Sequence, residues 1–212
     1  MATPRPSRLA RKPRAQYHHG DLRRALLQAA VRTLQKQGLD ALTLRSVGDE
    51  LGVSRSALYR HFSDKAALLT AVASEGFRLL HDALRAAWEQ GGKGRAGSLA
   101  MGEAYVSFAL EHPWHYRVMF GSGFDLDASD PALRQAGAAA LEVLVESLVE
   151  LQAAGLARQE DVRTQANFVW AVVHGVAMLA IDGSIEHQGA DAKALARYAV
   201  ERLHTGIAPA VP

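Results

Sequence analysis

Arg55, Ser56, Tyr59 and His61 place a guanidinium, a hydroxyl, a phenol and an imidazole within one short stretch. Such heads can donate to phosphate oxygens and base edges, the chemistry of a helix that reads a major groove. Behind them, Leu58 and Phe62 fall four residues apart and give the same helix an apolar back. Ser54 precedes it as an N-cap. Upstream, Leu44, Val47 and Leu51 recur at spacings of three and four, one buried helical stripe. Gly52 then permits a left-handed end to that helix, and Val53 fills the corner. Thr43 to Lys65 therefore reads as two short helices joined by a tight turn, with a third helix starting at its end.

Other chemistries find less support. Tyr17-His18-His19-Gly20-Asp21 resembles a metal cluster in composition, but adjacent histidines point in different directions and no Cys or Glu completes the set. A helix start whose free N–H groups meet a phosphate, with His18 beside it, fits better. His112 and His115 are separated by a proline and lack a third ligand. The chain has no HExxH, no P-loop, no GxGxxG after a strand and no serine nucleophile elbow, so neither an enzyme, a cofactor nor a metal is expected.

The formal charge of +2 conceals an asymmetry. Residues 1–62 hold 12 Lys+Arg against 4 Asp+Glu, or +8, and the remainder holds 12 against 18, or −6. A basic third on an acidic body marks a local polyanion site. Residues 1–16, with Arg5, Arg8, Arg11, Lys12 and Arg14 among three prolines, read as a disordered basic arm able to follow phosphates or enter a minor groove. With no cysteine, disulfides are excluded, as suits a reducing cytoplasm. No uninterrupted apolar run reaches the roughly 18–20 residues that span a bilayer; the richest, 168–181, contains His174. No membrane partner is expected.

These residues need helices to position them. A first helix spans about 20–37, with Leu22, Leu26, Ala29, Ala30, Thr33 and Leu34 inward and Gly38 as stop signal. A long helix runs from 64 to about 90, roughly 40 Å at 1.5 Å per residue. After a glycine-rich loop at 91–97, helices are expected near 98–111, 113–120, 131–154, 160–183 and 191–205, with Gly155 and Gly206 as C-caps. Strand alternation is absent. The fold class is all-α, about nine helices: a three-helix helix-turn-helix domain at 17–63 and a larger helical domain at 64–212, linked by the helix at 64–90.

The stretch from Tyr17 to Leu69, carrying YHHGDLRRALLQAA and GVSRSALYRHFSDKAALL, resembles the TetR family of transcriptional regulators. EHPWHYRVMF and WAVVHGVAML are similar to the ligand-binding domain of the subgroup named for Trp-His-Gly, although three residues here separate Trp170 from His174-Gly175. The resemblance implies that Arg45, Arg55, Ser56 and Ala57 face bases and that Tyr59, His61 and Lys65 hold phosphates; Thr43, Ser54 and His18 complete the expected DNA-facing set. It further implies a cytoplasmic, nucleoid-associated bacterial repressor. As a homodimer it would sit on a palindromic double-stranded operator until a small-molecule effector releases it. The alternatives are a ligand-independent regulator or activator of the same fold, or a ligand-binding protein with a different polyanion partner.

In the acidic body, Tyr105, Phe108, Trp114, Tyr116, Met119, Phe120, Trp170 and Met178 concentrate bulky groups, with His174 as the polar member. These are the expected effector residues. Phe168, Val172, Gly175, Val176 and Leu179 form one stripe, and Leu195, Tyr198 and Leu203 another; both are expected at a four-helix dimer interface, with the small Gly175 permitting close approach.

Overall fold

In the computed structural model, which describes residues 19–207, the chain divides into two compact units, Met1–Phe62 and Ser63–Pro212. The basic arm at 1–16 and His18 lie outside the described residues. Ten helices and no strand occur among those described.

The first unit is built from α1 (His19–Gln37), α2 (Leu44–Leu51) and α3 (Arg55–Tyr59). The stripe read from sequence on α1, Leu22 to Leu34, is buried throughout, Thr33 included. α2 starts with a reciprocal cap: the Ser46 N–H donates to Thr43 Oγ1 at 2.9 Å, and the Thr43 N–H donates to Ser46 Oγ at 3.0 Å. It ends at Gly52, whose φ of 66° lies where an L side chain is strained. Ser54 caps α3 by accepting from the Ala57 N–H at 3.3 Å. α3 has only five helical residues, fewer than the spacing of Leu58 and Phe62 suggests. The chain continues as a turn in which His61 and Phe62 both donate to the Leu58 carbonyl, and this still carries Phe62 into the core. Arg23 lies over the Phe62 ring, 5.4 Å from its centroid.

The second unit begins with α4 (Lys65–Gln90), capped by Asp64, which accepts from the Ala67 N–H at 2.8 Å. Leu69, Val72, Gly76, Leu80 and Leu84 are buried along it as the spacing requires. α7 (Pro131–Ala153) and α5 (Gly94–Glu111) make the largest packings on α4; α8 (Val162–Ile181) and α10 (Ala192–Ile207) close over α5. α6 (Pro113–Phe120) packs on α4 and α5, and α9 (Ser184–His187) on α8. Arg117 on α6 donates to the Ile181 carbonyl at 2.8 Å and pairs with Asp182 at 2.9 Å. This cation at a helix C-terminus fixes α6 against α8.

Four sequence readings change. α5 starts at Gly94, inside the stretch expected to be loop. There the ring of Trp88, 1% exposed, occupies the space a Cβ on Gly97 would need, so packing overrides the low helix propensity of glycine. α9 has four residues, too few to show a period. Gly206 sits within the last turn of α10 rather than ending it. Finally, α8 is long and apolar enough to cross a membrane by length and composition, with a mean hydropathy of 1.4 in its best window. Counting an uninterrupted run from Phe168 missed this, because an average tolerates Arg163, Gln165 and Asn167. In the fold one side of α8 packs on α5, α7 and α10.

Candidate nucleic-acid interface and apolar cavity

α3 presents what its sequence promises. Arg55, Ser56, Tyr59 and Arg60 are exposed, Ala57 and His61 are half-buried, and Leu58 anchors the helix at 2% exposure. Tyr59 stands out at 53%, a ring that no packing among the described residues accounts for. On α2, Arg45 is exposed and pairs with Asp49 at 3.5 Å, one turn away. Such a surface pair is worth little and yields readily to a stronger anion. Thr43 and Ser54 carry the caps described above, and Ser54 Oγ also lies 3.1 Å from Ser56 Oγ. Lys65 is the first residue of α4, in the second unit.

Sequence reasoning missed the residue that sets the α2–α3 angle. A Cβ on Gly48 would stand 2.2 Å from Leu58 Cδ1. Only a glycine lets the buried Leu58 seat this closely, and that contact holds the outer face of α3 in place. The signal was an isolated glycine inside an eight-residue apolar-periodic helix. Arg60, exposed beside Tyr59 at the end of α3, was also absent from the expected set.

The second unit contains a partly open cavity of about 290 Å³ with walls from α4, α5, α6, α7, α8 and α10. Of the nine expected effector residues, Tyr105, Phe120 and Trp170 line it. Tyr116 and His174 stand behind that wall, joined to it by hydrogen bonds. Trp170 Nε1–H donates to Tyr105 Oη at 3.0 Å, and Tyr116 O–H donates to the same oxygen at 3.1 Å. Tyr116 Oη is 2.6 Å from His174 Nδ1. Burial pushes the Tyr105 phenol up to about 12 and raises that of Tyr116 further, so both remain protonated donors. Burial also holds His174 below its ordinary value, favouring the neutral ring.

Four expected residues do not reach the cavity. Phe108 is buried against His112 and Tyr116. Met119 packs its sulfur over Gly76. Trp114 and Met178 are half-buried outside the lining. None of the four belongs to the lining, where aliphatic residues such as Leu84 and Leu148 supply most of the wall. An aromatic census could not see that aliphatic wall. It also missed His204 on α10, which lines the cavity although neither ring nitrogen has a hydrogen-bond partner among the described residues.

The expected dimer residues divide as well. Phe168, Leu179 and Tyr198 are exposed at 52%, 51% and 54%. Val172, Gly175 and Leu195 are half-buried, and a Cβ on Gly175 would meet open space. Val176 and Leu203 are instead buried at 8% and 6%, and Leu203 is part of the cavity wall. The helical stripe drawn through them was too wide by one position on each helix. Among the described residues, no three of His, Cys, Asp or Glu are grouped to hold a metal ion.

Comparison with known proteins agrees with this layout. Residues 26–72 match the model of bacterial regulatory proteins of the tetR family, and residues 98–203 match a tetracyclin repressor-like C-terminal domain. The narrower Trp-His-Gly subgroup rests on the EHPWHYRVMF and WAVVHGVAML stretches, and these matches do not confirm it. An uncharacterised HTH-type transcriptional regulator of Mycobacterium tuberculosis is 29% identical over 175 residues, covering 80% of this chain and 75% of its own. The class D tetracycline repressor of Escherichia coli is 40% identical over 60 residues, 28% of each chain. A solved structure from Rhodococcus sp. RHA1, a protein with unknown function, aligns with a TM-score of 0.81 at 38% identity, covering 92% of this chain and all of that one. With its helix-turn-helix capped and anchored as described and both of its parts matched, the chain belongs to the TetR family of DNA-binding transcriptional regulators.

Proposed function

We propose that this regulator is a homodimeric repressor that leaves a palindromic operator when a small apolar molecule occupies the cavity of its second unit. The observation that carries the reading is the cavity itself: about 290 Å³, partly open, bordered by six helices, with no charged side chain in its lining. A concave space of this size, lined mainly by apolar side chains with a few polar groups, has the usual form of a small-molecule site. Arg45, Arg55, Ser56 and Ala57 serve as base readers, and Tyr59, His61, Lys65 and His18 as phosphate anchors. The role is regulatory rather than catalytic, in the cytoplasm at the nucleoid. One such motif covers only a few base pairs, so specificity calls for two copies on adjacent major grooves. The outward face of α8, with Phe168, Val172, Gly175 and Leu179, is the surface for the second copy, joined by Leu195 and Tyr198 of α10. An effector shifts DNA occupancy only through its differential affinity for two states; a hundredfold ratio corresponds to about 2.7 kcal/mol.

Footprinting on genomic fragments, followed by release assays with small apolar molecules, tests the reading. Protection of a two-fold-symmetric site that a ligand lifts is the expected result. Protection that no cavity ligand changes would leave a ligand-independent regulator, and absence of any protected palindrome would remove the dimeric repressor altogether.

A further inference from the structure

The polar groups that face the cavity are few, and most are already engaged. Ser98 and Ser147 direct their hydroxyl protons to backbone carbonyls of their own helices, Gly94 at 3.0 Å and Leu144 at 2.8 Å. Trp170 gives its only proton to Tyr105. Tyr105 Oη accepts from both Trp170 and Tyr116, so its two lone pairs are used. With the Tyr116 proton assigned to Tyr105, the 2.6 Å bond between Tyr116 and His174 is completed by a proton on Nδ1, one of the two tautomers open to the ring. That nitrogen then cannot accept from Tyr105, 3.2 Å away. The Tyr105 hydroxyl proton is left for the cavity.

His204 is the second open pole. It is 9% exposed and lines the cavity, and neither ring nitrogen makes a well-formed hydrogen bond among the described residues, the Arg95 backbone being the one nearby group that favours a proton on the ring. A neutral imidazole offers one donor and one acceptor. Native proteins rarely leave both atoms of a buried ring unpaired, and each such group calls for an explanation such as an absent partner. No Asp, Glu, Lys or Arg lines the cavity, so an ionised ligand would lose its hydration without a matching charge.

Building on the effector reading above, we propose that the cavity takes an uncharged, mainly apolar molecule with an oxygen acceptor for the Tyr105 hydroxyl and a hydroxyl group for His204. A space of about 290 Å³ is roughly twice an engineered apolar cavity of about 150 Å³ that takes benzene, which suits a molecule of about ten to twelve heavy atoms. Hydroxyketones of eight to ten carbons are of this class. Two poles on an apolar body fix one orientation, which an apolar wall alone would not.

Calorimetric titration of the full-length protein with 8-hydroxyoctan-2-one, octan-2-one, octan-1-ol and octanoate tests this. The hydroxyketone should bind about fivefold more tightly than either singly polar probe, the ratio expected of one net hydrogen bond, and octanoate should bind most weakly. His204→Leu should abolish the advantage over octan-2-one. Tyr105→Phe should abolish the advantage over octan-1-ol. Tightest binding by octanoate would overturn the proposal, with Arg95, close enough to His204 to oppose its protonation, as the obvious cause. An unchanged ratio in His204→Leu, or no binding by any probe, would overturn it too. Operator release is scored separately: probes that bind in the predicted order yet leave DNA binding intact would refute the effector reading and retain the ligand class.

Discussion

Replacing His204 by leucine should stabilise the ligand-free protein, the reverse of what core substitutions usually do. Neither imidazole nitrogen makes a well-formed hydrogen bond among the described residues, although the Arg95 backbone lies near the ring, and leucine has a similar volume with nothing to satisfy. Leaving a buried polar group unpaired costs about 1–3 kcal/mol. The ring stands at a cavity wall, where water can recover part of that loss, so a gain of about 1 kcal/mol is the reasonable figure. For a domain of this size it corresponds to a rise in Tm of roughly 2–4 °C. Differential scanning calorimetry of the full-length protein at pH 7.5, with matched urea melts, measures it. His204→Gln, which keeps a polar head, should show no comparable gain. A fall in Tm for His204→Leu would mean that the imidazole is already bonded in the free protein, and the reasoning about an open pole would collapse.

Gly48→Ala should impair both folding and DNA binding, because the new Cβ would stand 2.2 Å from Leu58 Cδ1; overpacking of this kind costs about 1–3 kcal/mol, and binding lost without any stability change would show that the α2–α3 contact is not what matters. Gly175→Leu, at an open position on α8, should leave the melting temperature unchanged or higher yet shift the protein to monomer on sizing; an intact dimer would move the interface elsewhere. Arg55→Ala should flatten operator preference in a binding-site selection, whereas Lys65→Ala should weaken all duplexes alike and lower the salt slope by about 0.9. Acid should destabilise the second unit. Burial holds His174, His204 and His112 below their ordinary 6.5, so the unfolded chain binds more protons at mildly acidic pH. Their contribution is complete above pH 6.5 and is lost as pH falls below it. His204→Leu should make urea midpoints less steep in pH over that range, and an identical slope would contradict the assignment.

The first unit was legible because its determinants are local. Caps, the Gly52 turn and the spacing of Leu44, Val47, Leu58 and Phe62 all act over a few residues and keep their expected places, while Leu51, at the end of α2, is only half-buried. Gly48 escaped because its role is defined by Leu58, on another helix. The cavity was hardly legible at all. A void exists where side chains from six helices fail to meet, and no single helix carries a mark of that failure. Tyr105, Phe120 and Trp170 were found because bulky groups are scarce in this chain, while the aliphatic wall and His204 are ordinary residues made special by position.

α8 shows why hydropathy alone misleads here. Its 20 residues pass as a membrane span by composition, yet the apolar surface faces two ways for two reasons. Val169, Trp170 and Val173 turn inward to the cavity, and His174 reaches the Tyr116–Tyr105 pair behind it. Phe168, Gly175 and Leu179 turn outward, and two of these three are large side chains more than half exposed. A helix in lipid would have no use for polar atoms arranged at 2.6–3.2 Å on one face and a glycine opening onto empty space on the other. A helix placed between a ligand wall and a second copy of the same chain needs both. That division of one apolar helix into a bonded inner face and a bare outer face is the strongest physical argument for reading the second unit as both sensor and dimer surface.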